Sequence, residues 1–274
     1  MKRFTLLVAI FAIFAMVGCV KPSAENGDTI YYTTTDGSEV DIRESGFDAN
    51  VASNSYSNGV GTIVFNGPIS RIGRNAFASC DNLQTIELPT NIHTIDCDAF
   101  SGCVGLTSVK FNNNLSLINS YAFYGCSALK EVVLPSRVSD IGDHAFANCT
   151  ALERVEASEE LVTIGSSAFF HCDALVEFDT TRAQQITYVK FGAFDECNAL
   201  ERIEFPATLS IIDERAFYHA ASLKECKLNV TKRPTSSIDM FANVHPDFAI
   251  YVPHSMVASF QEVNYWKMYQ IVGF

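Results

Sequence analysis

The sequence predicts a β-rich solenoid of about nine stacked parallel rungs with a cap at each end, and three observations predict it. First, an Ala-Phe pair recurs at Ala76-Phe77, Ala99-Phe100, Ala122-Phe123, Ala145-Phe146, Ala168-Phe169, Ala193-Phe194 and Ala216-Phe217, with a degenerate Met240-Phe241. The steps between these phenylalanines are 23, 23, 23, 23, 25, 23 and 24 residues. Second, a strand-like L-x-x-I-x-L segment begins six residues after each of the seven Ala-Phe pairs, from Leu83/Ile86/Leu88 to Leu223/Cys226/Leu228. Third, a cysteine column follows the phenylalanines. A fixed period of this size marks a solenoid, in which each turn buries its apolar side chains only against its neighbours.

The elements follow in chain order. Lys2 and Arg3 precede a short apolar run, Phe4 to Val17, which has the length of a signal-peptide core and is too short to span a bilayer. Gly18-Cys19 closes it and resembles a bacterial lipobox, in which the cysteine is acylated after cleavage; Met16 stands where Leu is more usual. The alternative is an ordinary signal peptide cut nearby. The expected layout is therefore a signal peptide over 1–18, a flexible tether over 19–29, an N-terminal cap over 30–59, the solenoid over 60–253 and a C-terminal cap over 254–274.

Within the solenoid, counting one period back from Leu83 reaches Val60/Ile63/Phe65, and counting on from Leu223 reaches Ile250/Val252, which makes nine rungs. Alternation at the end of each segment is that of a strand with one buried face. Pro89, Pro135, Pro206 and Pro253 follow strands directly, where a missing N–H ends pairing. A second apolar pair, such as Ile92/Ile95 or Val138/Ile141, lines an opposite wall. Four residues before the phenylalanines stand Gly73, Asp96, Asn119, Gly142, Gly165 and Asp213, types that tolerate positive φ, so a left-handed turn is expected there. Lys190 breaks the column within the 25-residue step, so a different backbone is expected at that turn. Strands about 4.8 Å apart make nine rungs roughly 38 Å long.

The pattern I-x-x-I-G-x-x-A-F-x-x-C-x-x-L-x-x-I-x-L-P resembles the leucine-rich repeats of the BspA-like surface proteins of Bacteroides and treponemes over about residues 60–253. The closing segment, Ile250-Tyr251-Val252-Pro253 and an aromatic stretch expected to be helical through Trp266 to Phe274, resembles the terminal cap of such proteins; the Ser, Thr, Asn and Gly-rich residues 30–59 resemble their lead-in. The resemblance implies a leucine-rich-repeat solenoid on the cell envelope, adhering to a host or bacterial surface protein. End rungs need caps in any case, because they otherwise expose the core.

Chemistry is sparse. Six of the nine cysteines, Cys80, Cys103, Cys126, Cys149, Cys172 and Cys197, lie three residues after a repeat Phe, and Ala220 and Val244 take the same place in later turns. The position wants a small apolar group, and parallel stacking holds neighbours near 4.8 Å, beyond disulfide range, so a ladder of buried thiols is expected. Cys226 sits in the strand core, whereas Cys97 shares a column with polar residues and is expected to be exposed. There is no C-x-x-C, H-E-x-x-H, G-x-S-x-G or phosphate-binding loop, so no catalytic residues, cofactor or metal are expected. His171, Glu196 and His219 share one repeat position and are read as solvated.

What remains is surface. Just before the buried strand residue the column runs Glu131, Arg154, Glu177, Arg202, Glu225, alternating in sign. It is read chiefly as a ladder of mutually satisfying charges and secondarily as a protein-binding strip. Without residues 1–18 the chain holds 17 basic and 31 acidic residues, which argues against nucleic acid. The expected protein is a non-catalytic envelope lipoprotein, held at the membrane by its lipid, outer-membrane and surface-exposed, that binds a protein partner. The alternatives are an envelope scaffold without exogenous ligand, or a glycan-binding module using Tyr124, Phe170 and Tyr218.

Overall fold

The computed structural model describes residues 27–274. The signal peptide, Cys19 and most of the tether therefore lie outside the described residues. No helix among the described residues is long and apolar enough to cross a membrane.

Three strands come first: β1 (Thr29–Thr34), β2 (Val51–Ser57) and β3 (Val60–Phe65). Eight turns follow, each giving a short and then a longer strand. They are β4 (Arg71–Ile72) and β5 (Leu83–Glu87), β6 (Thr94–Ile95) and β7 (Ser108–Lys110), β8 (Leu117–Ile118) and β9 (Glu131–Val133), β10 (Asp140–Ile141) and β11 (Arg154–Glu156). Next come β12 (Thr163–Ile164) and β13 (Glu177–Asp179), β14 (Tyr188–Val189) and β15 (Arg202–Phe205), β16 (Ile211–Ile212) and β17 (Glu225–Leu228), β18 (Thr235–Ser236) and β19 (Ala249–Val252). A helix, α1 (Val257–Gln261), and a last strand, β20 (Gln270–Gly273), complete the chain. This is the expected parallel β-solenoid of about nine turns.

The short strands make one continuous eight-stranded parallel wall, β4 to β18 by even numbers. The longer strands make the opposite wall in three pieces, β5-β7, β9-β11-β13 and β15-β17-β19-β20. Register keeps the buried residues in column, as in Val132↔Val155↔Phe178 and Ile203↔Cys226↔Ile250↔Ile271. A slip by one residue would turn each column outward, so burial specifies the register.

A third side is built by the Ala-Phe pairs. The amide of each repeat Phe donates to the carbonyl of the residue before the next Phe, from Phe77 N–H to Ala99 O at 2.8 Å through to Phe217 N–H to Met240 O at 2.8 Å. The rings stack in a fully buried file, with centroids 5.0 Å apart for Phe77 and Phe100 and 5.5 Å for Phe146 and Phe169. Such a spacing is the strand repeat carried into side chains.

The left-handed residues are not where the sequence pattern suggests. They lie two before and two after the Phe, for example Asp98 (φ 58°) and Gly102 (φ 75°), or Tyr121 (φ 60°) and Gly125 (φ 70°). These conformations turn alternate amides along the axis: Tyr121, Phe123 and Gly125 donate to Asp143, Ala145 and Ala147 of the next turn, while Ala122, Tyr124 and Cys126 close local turns. The column four before the Phe is small for another reason. A Cβ on Gly142 would sit 2.5 Å from Asn119 C, and one on Gly165 2.5 Å from Ile141 O. Lys190 marks no change of backbone, since Gly192 keeps φ at 59° like its counterparts. The two extra residues fall instead between Phe178 and Ile186, where the Thr180 hydroxyl donates to Glu204 O at 2.7 Å. Leu134 and Ala157 use backbone amides at that position.

Both ends differ from a simple count of rungs. β3, the first parallel rung by periodicity, runs antiparallel to β1, and β1 inserts antiparallel between β3 and β5. Its hairpin partner β2 is mostly exposed and polar, which blunts the edge. Phe47 meets the end of the ring file, 5.7 Å from Phe77, and Gly46 O accepts the Gly73 amide at 2.7 Å. At the other end the stretch expected to be helical contains a 3-10 turn over His254–Met256, then α1 and β20, which pairs parallel with β19. Buried Trp266 packs against Phe260 at 4.7 Å beneath it. Counting β20, the longer wall still has nine parallel strands.

Phe146 is fully buried in the file, with ring centroids 5.1 Å from Phe123 and 5.5 Å from Phe169, so its removal leaves a cavity. Phe146→Ala should cost about 3–5 kcal/mol, measured by denaturant unfolding against the unsubstituted chain.

Candidate functional site

Residues that point out of the longer wall are placed by the same register that buries their neighbours. Arg154 on β11 lies between Glu131 on β9 and Glu177 on β13. Its Nε is 3.9 Å from Glu131 and 3.7 Å from Glu177, and its Nη2 is 2.9 Å from Glu156 and 3.5 Å from Asp179. One guanidinium thus lies within 4 Å of four carboxylates, and Arg182, 3.7 Å from Glu156, adds a second positive charge. Asp179 is partly desolvated, which raises its pKa. The hydroxyl and amide of Thr181, then Arg154 and Arg182, outweigh this and hold it below the usual carboxylate range.

The ladder stops there. Arg202 and Glu225 continue the column and are exposed, and no described residue forms an ion pair with either. The sheet is interrupted between β13 and β15, whereas β15 and β17 pair in register and set Arg202 across from Glu225. The neighbouring column is satisfied pairwise, with Lys110 beside Glu87 and Lys227 2.7 Å from Glu204. Two apolar side chains stand exposed in the same wall, Val133 at 41% and Val176 at 52%.

The cysteine column is buried, and every described cysteine is free. From Cys103 to Cys197 each thiol donates to the carbonyl of the Phe one turn back, as Cys126 Sγ to Phe100 O and Cys149 Sγ to Phe123 O, both at 3.2 Å, while Cys80 at the start of the column donates to Asp41 O at 3.1 Å. Burial pushes the Cys80 and Cys149 thiols up to about 12, so they are inert as nucleophiles and ligands. Cys97 is half-buried rather than exposed.

On the edge formed by the left-handed turns, Tyr121 stacks on His144 with centroids 4.7 Å apart and lies 5.6 Å from Tyr124. Of the three rings in the expected glycan strip, Tyr124 is the most open, at 37%. Further along, Glu196 does lie beside His171, with His171 Nδ1 3.4 Å from Glu196 and 3.2 Å from Asp173. Asp195, which sequence reasoning passed over, is buried beside them. Burial pushes its carboxyl up to about 6, opposed by Arg215, reinforced by Glu196 and opposed again by His219. Arg215 Nη2 is 3.4 Å from one Asp195 oxygen, and Oδ1 has no hydrogen-bond partner. Asp195, Glu196 and His219 each offer one donor atom within 4.8 Å of the others.

The model of the BspA-type leucine-rich-repeat region matches residues 52–176 and 177–256, with six copies. The chain belongs to this family. A leucine-rich-repeat protein from Bacteroides ovatus is similar in structure, at 20% identity and a TM-score of 0.58, over 80% of this chain and 58% of the other. One from Eubacterium ventriosum gives 20% identity and a TM-score of 0.50 over 64% of this chain and 46% of that one. The chain thus spans about half the length of each. The leucine-rich-repeat protein of T. pallidum is 26% identical over 53% of this chain and 71% of its own, with a TM-score of 0.46. No curated protein matches.

For this BspA-type chain the two arginines of the strip should behave differently. Arg154→Ala leaves four carboxylates facing one another and should cost about 1–2 kcal/mol, less in 1 M salt, whereas Arg202→Ala should stay within about 0.5 kcal/mol. Denaturant midpoints at two salt concentrations check the difference.

Proposed function

We propose that this protein is a non-catalytic lipoprotein of the outer cell surface, anchored through Cys19, whose longer wall binds another protein. The observation that carries the reading is the state of the alternating column. Arg154 is consumed by four carboxylates, but Arg202 and Glu225 are exposed, unengaged among the described residues and held on rigid strands. Charges of that kind are available to a partner at no cost to the fold, and electrostatic complementarity sets specificity and encounter rate. Val133 on β9 and Val176, just before β13, add exposed apolar area elsewhere on the same side. Membership of the BspA-type family supports adhesion to a host or bacterial surface protein as the role.

The test is a pull-down from extracellular-matrix and bacterial-envelope extracts with the chain and with an Arg202→Glu, Glu225→Lys variant. A partner retained by the first and lost by the second, at equal thermal stability, supports the reading. Failure of both to retain a partner would favour an envelope scaffold without exogenous ligand. The anchor has a separate readout: Cys19→Ser should move the protein from the membrane fraction to the soluble one and abolish incorporation of labelled palmitate.

A further inference from the structure

We propose that Asp195, Glu196 and His219 form a binding site for one divalent transition-metal ion of the zinc class. The repeat itself builds the site. Glu196 and His219 hold the same left-handed position in consecutive turns, with φ of 61° and 57°, and the Glu196 amide donates to Tyr218 O at 2.9 Å, which fixes the two turns against each other. Asp195 occupies the position directly after the repeat Phe, where the other turns carry Ala, Ser, Tyr or Phe, so its carboxyl enters from below the edge.

The donor atoms lie within 4.8 Å of one another. Two tetrahedral ligands about 2.1 Å from one ion stand about 3.4 Å apart, so closure needs side-chain movement of up to about 1.4 Å between a pair. The independent sign of a ligand is Asp195, whose side chain is 8% exposed and whose Oδ1 has no partner. A buried carboxylate oxygen left without a donor is costly. Arg215 does not supply one to Oδ1: it reaches the other oxygen at 3.4 Å while its guanidinium lies over the Tyr218 ring at 4.2 Å. An ion held by Oδ1, Glu196 and His219 supplies the missing partner.

One imidazole and two carboxylates, with a fourth position left for water, suit zinc-like ions. Calcium takes six to eight oxygens and finds too few here. His171 Nδ1 lies 3.4 Å from the Glu196 carboxylate and 3.2 Å from Asp173, outside the proposed ligand set.

The experiment is calorimetric titration of Zn²⁺ alone into the full chain carrying Cys19→Ser and Cys97→Ser, reduced and free of chelator, so that no open thiol competes. One ion per chain is expected, with affinity falling at least about 10-fold in His219→Ala and again in Asp195→Asn, while the metal-free melting temperatures stay together. Glu196→Gln, at an exposed turn, serves if either variant melts early. Absence of stoichiometric binding, equal affinity in the variants, or Ca²⁺ binding as tight as Zn²⁺ would overturn the site. This inference stands apart from the protein-binding role of the longer wall.

Discussion

Everything in this molecule hangs on one constraint, the distance between a turn and the next. The Phe amide to Ala carbonyl bond, about 2.8 Å in every pair, sets that distance, and the stacked rings at 5.0–5.5 Å fill it. Neither works without the other. An amide buried with no acceptor is costly, and the ring file can exist only if successive phenylalanines stay in step. The alanine before each Phe is the residue at which the next turn's carbonyl is offered, and in every case it is fully buried. Left-handed residues on either side of the Phe follow from the same need, because they point alternate amides along the axis. Most are not glycine: Tyr121, His144 and Arg215 all accept φ near 60°. The cost of each, of the order of 1 kcal/mol, is offset at Tyr121 and His144 by an amide hydrogen bond to the next turn.

A repeat that fixes the spacing also decides what can sit outside. Each outward residue faces the equivalent residue of the next turn at about the strand spacing, so like charges cannot be stacked freely. Arg154 resolves this by serving two carboxylates in its own column and two in the next. Beyond β13 the sheet is interrupted, and Arg202 and Glu225, cross-strand neighbours on β15 and β17, form no ion pair with any described residue.

Nearly all of the solenoid was legible in the sequence, because a repeated burial pattern is read many times over. The Phe file, the two walls, the thiol ladder and the place of the long turn need only periodicity and residue size. Its ends were less legible, since a cap obeys no repeat. Val60/Ile63/Phe65 fit the strand pattern, but alternation says nothing about direction. The sign of an antiparallel end was present nonetheless in Asn58-Gly59, a two-residue hairpin pair, and these residues adopt φ of 51° and 82°. The left-handed column was misplaced because the glycines four residues before the Phe, such as Gly142 and Gly165, serve close approach and not positive φ. Backbone geometry there follows from hydrogen bonds between turns, which a list of residue types does not reveal.

The charged strip and the Asp195 cluster show the limit from the other side. Alternating signs announced Arg154 correctly as a ladder, but only the interrupted sheet distinguishes it from Arg202. Asp195 sat in a column of alanine, serine and aromatic residues, where an acid reads as one more exposed substitution. It is instead buried, with a carboxyl raised to about 6. An acid whose pKa is higher in the fold than in the unfolded chain weakens stability as pH rises from about 4 to 6, the reverse of Asp179, whose contribution is present above about pH 4 and lost below it. The two aspartates therefore act in opposite senses: Asp179 is held charged by its neighbours on the wall, whereas burial opposes the charge on Asp195, which Arg215, 3.4 Å away, offsets in part.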